Sequence, residues 1–174
     1  YFSEASYDRE KDARDFVKRT LSNDIGYLYA DTYMTDEIYE GVSKLCEDLR
    51  TAYYDLIRGT DMFSQSTKEL LCKKLDNFRF MIGVPPMDKR VKGADLSGSD
   101  IFENEINIRK HEYAENLNNI EQKYDPAQFG FPPQEINACY NYNNTITIPL
   151  GILNKPFYDP DASEMENLGR IGSV

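Results

Sequence analysis

From Tyr7 to Tyr33 the apolar positions Ala13, Phe16, Val17, Leu21, Leu28 and Tyr29 recur mostly at helical spacing, with an interruption near Ser22, Asn23 and Asp24. Two helical pieces are expected there. Thr35 can cap the next helix, and Asp36 and Glu37 follow in the first turn, where the helix dipole favours negative charge. Ile38, Val42, Leu45, Leu49, Tyr53 and Leu56 then step by three and four, predicting one buried stripe that ends at Gly59. Ser66 is the next candidate cap. Leu70, Leu71, Leu75, Phe78 and Met81 make a third stripe, stopped by Gly83 and the Pro85-Pro86 pair.

Residues 87–99 are rich in Pro, Gly, Lys and Asp and have no periodicity, so they read as a connection. A longer helix follows, with Phe102, Ile106, Tyr113, Leu117, Ile120 and Tyr124 on one face and the Glu105/Arg109 side polar; Asp125-Pro126 ends it. Beyond Pro126 the texture changes to β-branched residues in alternation, with Gly, Pro and Asn between them. Residues 136–140 and 145–148 read as two short strands around the turn Asn141-Tyr142-Asn143-Asn144, since Asn tolerates positive φ. Pro149, Gly151, Pro156 and Pro160 argue against regular structure over most of the remainder.

The chain has 174 residues, 40% of them hydrophobic, enough for an ordinary globular core. Thirty acidic against 20 basic residues give a net charge of −10, which argues against a nucleic-acid backbone or an anionic membrane as partner. No stretch approaches the roughly 20 apolar residues that span a bilayer. The N-terminus has neither a basic nor an apolar signal region, and lacks Met, as expected of a piece of something longer. Cys46, Cys72 and Cys139 cannot all pair internally and fit no zinc-knuckle spacing, so they read as reduced thiols of a cytoplasmic protein.

Candidate chemistry within the chain is sparse. His111 is the only imidazole, mid-helix among charged neighbours, and reads as a solvated helix residue rather than a base or ligand. Carboxylate pairs such as Glu103/Glu105 or Asp159/Asp161 carry no weight in so acidic a chain. Gly169-Arg170-Ile171-Gly172 has no following helix to make a phosphate loop, and the sequon Asn143-Asn144-Thr145 matters only in a secreted protein.

One ordered set of blocks is specific. Ile136-Asn137-Ala138-Cys139-Tyr140, then Ile146-Thr147-Ile148-Pro149-Leu150-Gly151-Ile152-Leu153, Pro156-Phe157-Tyr158-Asp159 and Asn167-Leu168-Gly169-Arg170-Ile171-Gly172 stand in this order and spacing. They resemble the neprilysin and endothelin-converting-enzyme family of zinc metallopeptidases, peptidase family M13. That family's pattern runs Val-Asn-Ala-Tyr-Tyr, an Asn-rich turn, Ile-x-x-Pro-Ala-Gly-Ile-Leu, Pro-Phe-Phe and Asn-Tyr-Gly-Gly-Ile-Gly. Upstream, Ile25-Gly26-Tyr27-Leu28-Tyr29, Ser66-Thr67-Lys68 with Lys74-Leu75, and Ile82-Gly83-Val84-Pro85 look like the family's helical approach to this region. Phe129 stands for a usual Trp, Cys139 for an aromatic, Leu150 for Ala, and Leu168 and Arg170 for Tyr and Gly. The Cys139 and Arg170 departures bear on substrate preference.

The resemblance implies a mainly α fold with a small C-terminal β-hairpin, part of a larger two-lobed zincin-type metallopeptidase. Residues 1–125 would be its inter-lobe and roof helices, and 126–174 the extended segment and hairpin at the substrate-binding edge of the catalytic domain. In the family a His-Glu-x-x-His helix follows, two histidines holding zinc while the Glu activates water. This chain is expected to be a fragment that stops just before that motif at Val174, with no catalytic residue or metal ligand of its own, no zinc bound, and no activity alone. Zinc belongs to the full-length parent. The substrate role carries over to Asn137 and Ala138, which match the family's Asn-Ala pair on the cleft edge: strand addition offers backbone groups, the small Ala permits approach, and the Asn amide supplies a donor and an acceptor.

Expected partners are therefore peptide substrates of the parent and the remainder of the peptidase catalytic domain. Removed from that setting, the exposed edge is expected to self-associate. The rival reading is a non-catalytic acidic helical protein-interaction module, supported by the charge and Tyr-rich helices alone. The family includes membrane-anchored ectodomains as well as soluble enzymes, so an extracellular location stays open beside the cytoplasmic one.

Overall fold

The computed structural model describes residues 8–86, 90–121 and 129–174. In chain order it has helices α1 (Arg9–Thr20), α2 (Ser22–Tyr33), α3 (Asp36–Gly59) and α4 (Gln65–Asp76), strand β1 (Arg79–Gly83), helix α5 (Ile101–Ile120), strands β2 (Cys139–Asn141) and β3 (Thr145–Pro149), and helix α6 (Glu164–Gly169). The fold is thus mostly helical with one small sheet. The described residues divide into two compact units, one from 8–26 and 90–121, the other from 27–86 and 129–174.

In the first unit α1 is capped by Asp8, whose carboxylate accepts the Lys11 N–H at 3.0 Å. The helical interruption before α2 falls at Leu21, and Ser22 already belongs to the second helix. Asp100 caps α5 by accepting the N–H groups of Phe102 and Glu103. The connection before it is tied down by side chains: Asn104 exchanges two 2.6 Å bonds with the backbone of Ser97, and Asn107 donates to the Asp95 carbonyl at 2.8 Å. The expected apolar stripe of α5 is not its buried face. Phe102, Ile106, Tyr113, Leu117 and Ile120 are exposed, while Ile108, on the turn between them, is buried. Glu105 and Arg109 pair at 2.6 Å, as the i,i+4 spacing predicts. The expected stop at Asp125-Pro126, and Tyr124, lie outside the described residues.

The second unit is organised by α3. Thr35 caps it, accepting the Ile38 N–H at 3.2 Å. Ile38, Val42, Leu45 and Cys46 are buried, with Ile57 a few turns on, whereas the expected members Tyr53 and Leu56 are more than half exposed. The core joins Ile38, Val42, Leu45 and Cys46 to Ile82, Ile148, Leu150, Ile152, Leu153 and Tyr158. Ser64 rather than Ser66 caps α4, accepting the Thr67 N–H at 3.3 Å.

The largest correction concerns 77–83. The stripe read as continuing to Gly83 breaks after Asp76, and Arg79–Gly83 is a strand running parallel to β3. Phe80 and Ile82 turn inward at a period of two, which the short apolar run also permits. The sheet order is β1-β3-β2, so β3 is central and the β2–β3 hairpin is one side of a three-stranded sheet. β2 is also shorter than expected, pairing only over Cys139–Asn141 against Thr147, Ile146 and Thr145. Asn144 supplies the predicted positive φ, +65°, in the turn.

After β3 the prolines do not abolish regular structure. A 3₁₀ turn at Leu150–Ile152, the short helix α6 and a second 3₁₀ turn at Ile171–Ser173 carry the chain to its last residue. Gly151 is obligatory in this packing. Its N–H donates to the Pro133 carbonyl at 2.8 Å, and a Cβ there would collide with the carbonyls of Gln134 and Glu135.

Candidate functional site

β2 is one of the two outer strands beside central β3, so among the described residues one long side of it has no strand neighbour in the sheet. Asn137 and Ala138 lie immediately before its first paired residue, Cys139. Their environments differ. Asn137 is exposed, whereas Ala138 is half-buried and packs against the core. The Ala138 N–H donates to the Asn137 side-chain oxygen at 2.8 Å. That partner is a neighbouring side chain in place of a ladder carbonyl, so the Ala138 N–H faces the open side of β2. Along an antiparallel strand alternate residues turn their backbone groups outward, which puts Tyr140 in the same row as Ala138.

The hairpin carrying this edge is held from three directions. Tyr140 stacks on Phe78 with ring centroids 5.9 Å apart, and the Lys74 ammonium lies 5.4 Å from the Tyr140 centroid. Asn144 donates to the Lys74 carbonyl at 2.7 Å, and its own carbonyl accepts the Arg79 N–H at 3.1 Å. On the opposite face Asn141 donates to the buried Thr147 hydroxyl at 3.2 Å, while the Cys139 thiol donates to the Asn141 oxygen. The sequence reading missed Phe78, Lys74 and Asn144 as supports, because it placed 77–83 on a helix; the alternation of Phe80 and Ile82 is the signal that could have found them.

Behind the edge lies an apolar cavity of about 420 Å³ between α3, α4 and the sheet, lined by residues such as Cys46, Leu75, Phe80, Ala138, Ile146 and Val174. Burial pushes the Cys46 thiol up to about 12, so it stays a neutral, inert group in that wall. The one arginine on the wall, Arg50, is spent on structure: it donates to the carbonyls of Leu75 and Phe78, both at 2.9 Å, and stacks over Phe80.

The last segment is a clamped approach to the chain end. Ser163 and Glu166 form a reciprocal capping box on α6. Buried Asn167 reads the Asp159 backbone in both directions, accepting its N–H at 3.1 Å and donating to its carbonyl at 2.8 Å. Lys155 holds the Asp159 carboxyl below its ordinary range, and Ser163 does the same for Glu166. Arg170, the residue that departs from the family pattern, lies 3.8 Å from Asp159 and 4.0 Å from Glu166, so its charge is met locally.

Zinc does not fit what is present. Among the described residues no group of three His, Cys, Asp or Glu side chains could hold a metal ion, and His111 stands in α5, in the other unit from the edge. Comparison with known proteins settles the lineage. Residues 2–85 and 137–174 match the two family models described as peptidase family M13. The chain belongs to that family. It is 28% identical to an endothelin-converting enzyme homolog of Locusta migratoria, over 88% of the chain, and 28% identical to a neutral endopeptidase of Lactococcus lactis, over 95%. Among solved structures the zinc metalloprotease Zmp1 of Mycobacterium tuberculosis in its open state superposes with a TM-score of 0.89 over 99% of the chain, at 26% identity. The chain spans 23% and 27% of the length of those two curated relatives and 27% of the Zmp1 chain.

Proposed function

We propose that this chain is the substrate-edge portion of a zinc-dependent metalloendopeptidase, binding an extended peptide along β2 while the metal and the groups that activate water come from the remainder of the catalytic domain. Asn137 and Ala138 hold the peptide backbone, the Asn amide as donor and acceptor and Ala138 through its outward backbone groups. Residues 126–174 present the edge, and 1–125 serve as inter-lobe and roof helices. The observation that carries this reading is the position of Asn137-Ala138 at the open side of an outer strand, in a chain of family M13.

What these residues do is position a substrate and limit its freedom: a peptide held as an added strand presents one bond at a fixed distance from whatever lies across the cleft. The chain alone is expected to cut nothing. A quenched peptide substrate, assayed with and without chelator, on this chain and on a longer protein carrying the sequence that follows it in its source gene, tests this. Chelator-sensitive cleavage by the longer protein alone is the expected result. Cleavage by the 174-residue chain, or none by a longer protein that binds zinc, contradicts the proposal.

A further inference from the structure

The contact between Asn137 and Ala138 has a role of its own at this edge. The Asn137 oxygen accepts the Ala138 N–H at 2.8 Å, although the Asn137 side chain is exposed and water could satisfy both groups. The N–H so occupied is one an incoming strand would use for its carbonyl. The carboxamide is also the group that Asn137 would turn toward a bound peptide. One side chain thus covers the edge and keeps itself out of the site.

We propose that Asn137 is a self-latch on the peptide-binding edge. The inference rests on the reading of β2 as that edge. In the empty state the carboxamide oxygen closes on the Ala138 N–H. An extended peptide replaces it there with its own backbone carbonyl, and the freed carboxamide then offers its NH₂ and oxygen to the peptide. One hydrogen bond is exchanged for another before the new ones form, so the latch lowers apparent affinity by the fraction of chains in which it is closed. It also leaves the strand edge covered when no peptide is present, which opposes non-specific pairing with other strands. No covalent step is involved. The device discriminates between ligands by backbone: only a chain presenting a carbonyl at Ala138 opens it at no net cost in hydrogen bonds.

The test uses the ¹⁵N-labelled 174-residue chain, a neutral blocked extended peptide, and the variants Asn137→Ala and Asn137→Asp, which change an exposed side chain and should fold. Removing the acceptor should speed hydrogen exchange at the Ala138 amide, by roughly tenfold at most for a single bond. An ionised carboxylate makes a stronger acceptor and a tighter latch, so Asn137→Asp should bind the peptide several-fold more weakly than Asn137→Ala. A residue that acted only by touching the peptide would give the reverse order, because Asp keeps an acceptor that Ala lacks. Equal exchange at Ala138 in the wild type and Asn137→Ala, or peptide binding by Asn137→Asp as tight as by Asn137→Ala, overturns the latch and leaves the edge reading standing. Absence of any peptide-induced shift at residues 136–142 in all three proteins removes the edge reading and the latch with it.

Discussion

Arg50, in the middle of α3, donates its guanidinium to the carbonyl of Phe78, 28 residues later, at 2.9 Å. The same group takes the Leu75 carbonyl, so one side chain from the central helix closes the end of α4 and sets where β1 begins. β1 pairs with β3, and β3 with β2, so the placement of the candidate peptide edge depends on this junction.

Arg50→Met keeps an apolar stem of similar length but strands two carbonyls. It should cost about 2–3 kcal/mol, because hydrogen bonds to charged groups are worth about 1.5–3 kcal/mol each and water recovers part of the loss. Urea denaturation measures it. Arg50→Lys should recover little, since a point charge cannot serve both carbonyls in one plane.

Gly151→Ala should be among the costliest single-methyl additions in the chain. The new Cβ meets backbone carbonyls of Gln134 and Glu135, which cannot rotate away as a side chain would. A loss of about 3 kcal/mol is expected, the upper end for overpacking. Thermal unfolding of Gly151→Ala beside Gly130→Ala, a position with open space around it, separates the collision from the generic effect of removing glycine.

Cys46 should be the last thiol to react. Its protonated form is held by burial to about 12, so at pH 8 it offers almost no thiolate, whereas Cys72 and Cys139 are only half-buried. Titration with a chromogenic disulfide should count two fast thiols in the native chain and a third only after denaturation. Three fast thiols would mean that the packing of α3 on the sheet is looser than described.

Acid should loosen the 159–170 segment. Asp159 and Glu166 both have carboxyls lowered by their partners, Lys155 and Ser163, relative to an unfolded chain. Such groups contribute stability above their unfolded pKa, and that contribution is lost as pH falls through the carboxylate range toward the lowered folded values. Amide protection at Ser163, Glu166 and Asn167 should therefore decline on acidification before that of α3, and Glu166→Ala should weaken this pH dependence.

The exposed apolar residues around the hairpin, Ile136, Tyr140 and Tyr142, lead to an expectation of concentration-dependent association for the isolated chain. Light scattering across a tenfold range of concentration checks it; a constant monomer mass contradicts it.

Much of the architecture is legible in the sequence. The cap at Thr35, the hairpin turn with its positive-φ Asn144 and the long helix after residue 100 follow from local chemistry, and the ordered blocks from Asn137 to Gly172 point to family M13. What is not legible is tertiary. Phe78 and Met81 continue the helical spacing of Leu71 and Leu75, and only the pull of β3 and the Arg50 bonds turns 79–83 into a strand. The face of α5 that buries Ile108 cannot be chosen from spacing, because the apolar stripe from Phe102 to Ile120 is the exposed one and Ile108 lies on the far side of the helix from it. Asn137 and Ala138 were identifiable only by resemblance; the bond between them belongs to the fold.

The most direct measurement is kcat/KM and zinc content for wild type and Asn137→Ala in a longer protein that includes this chain and the remainder of the peptidase. In the proposed complex Asn137 offers the peptide a donor and an acceptor against the single bond it gives up at Ala138, so the account predicts a loss of about tenfold, carried mainly by KM, at unchanged zinc content. An unchanged kcat/KM would contradict a peptide-binding role for this edge.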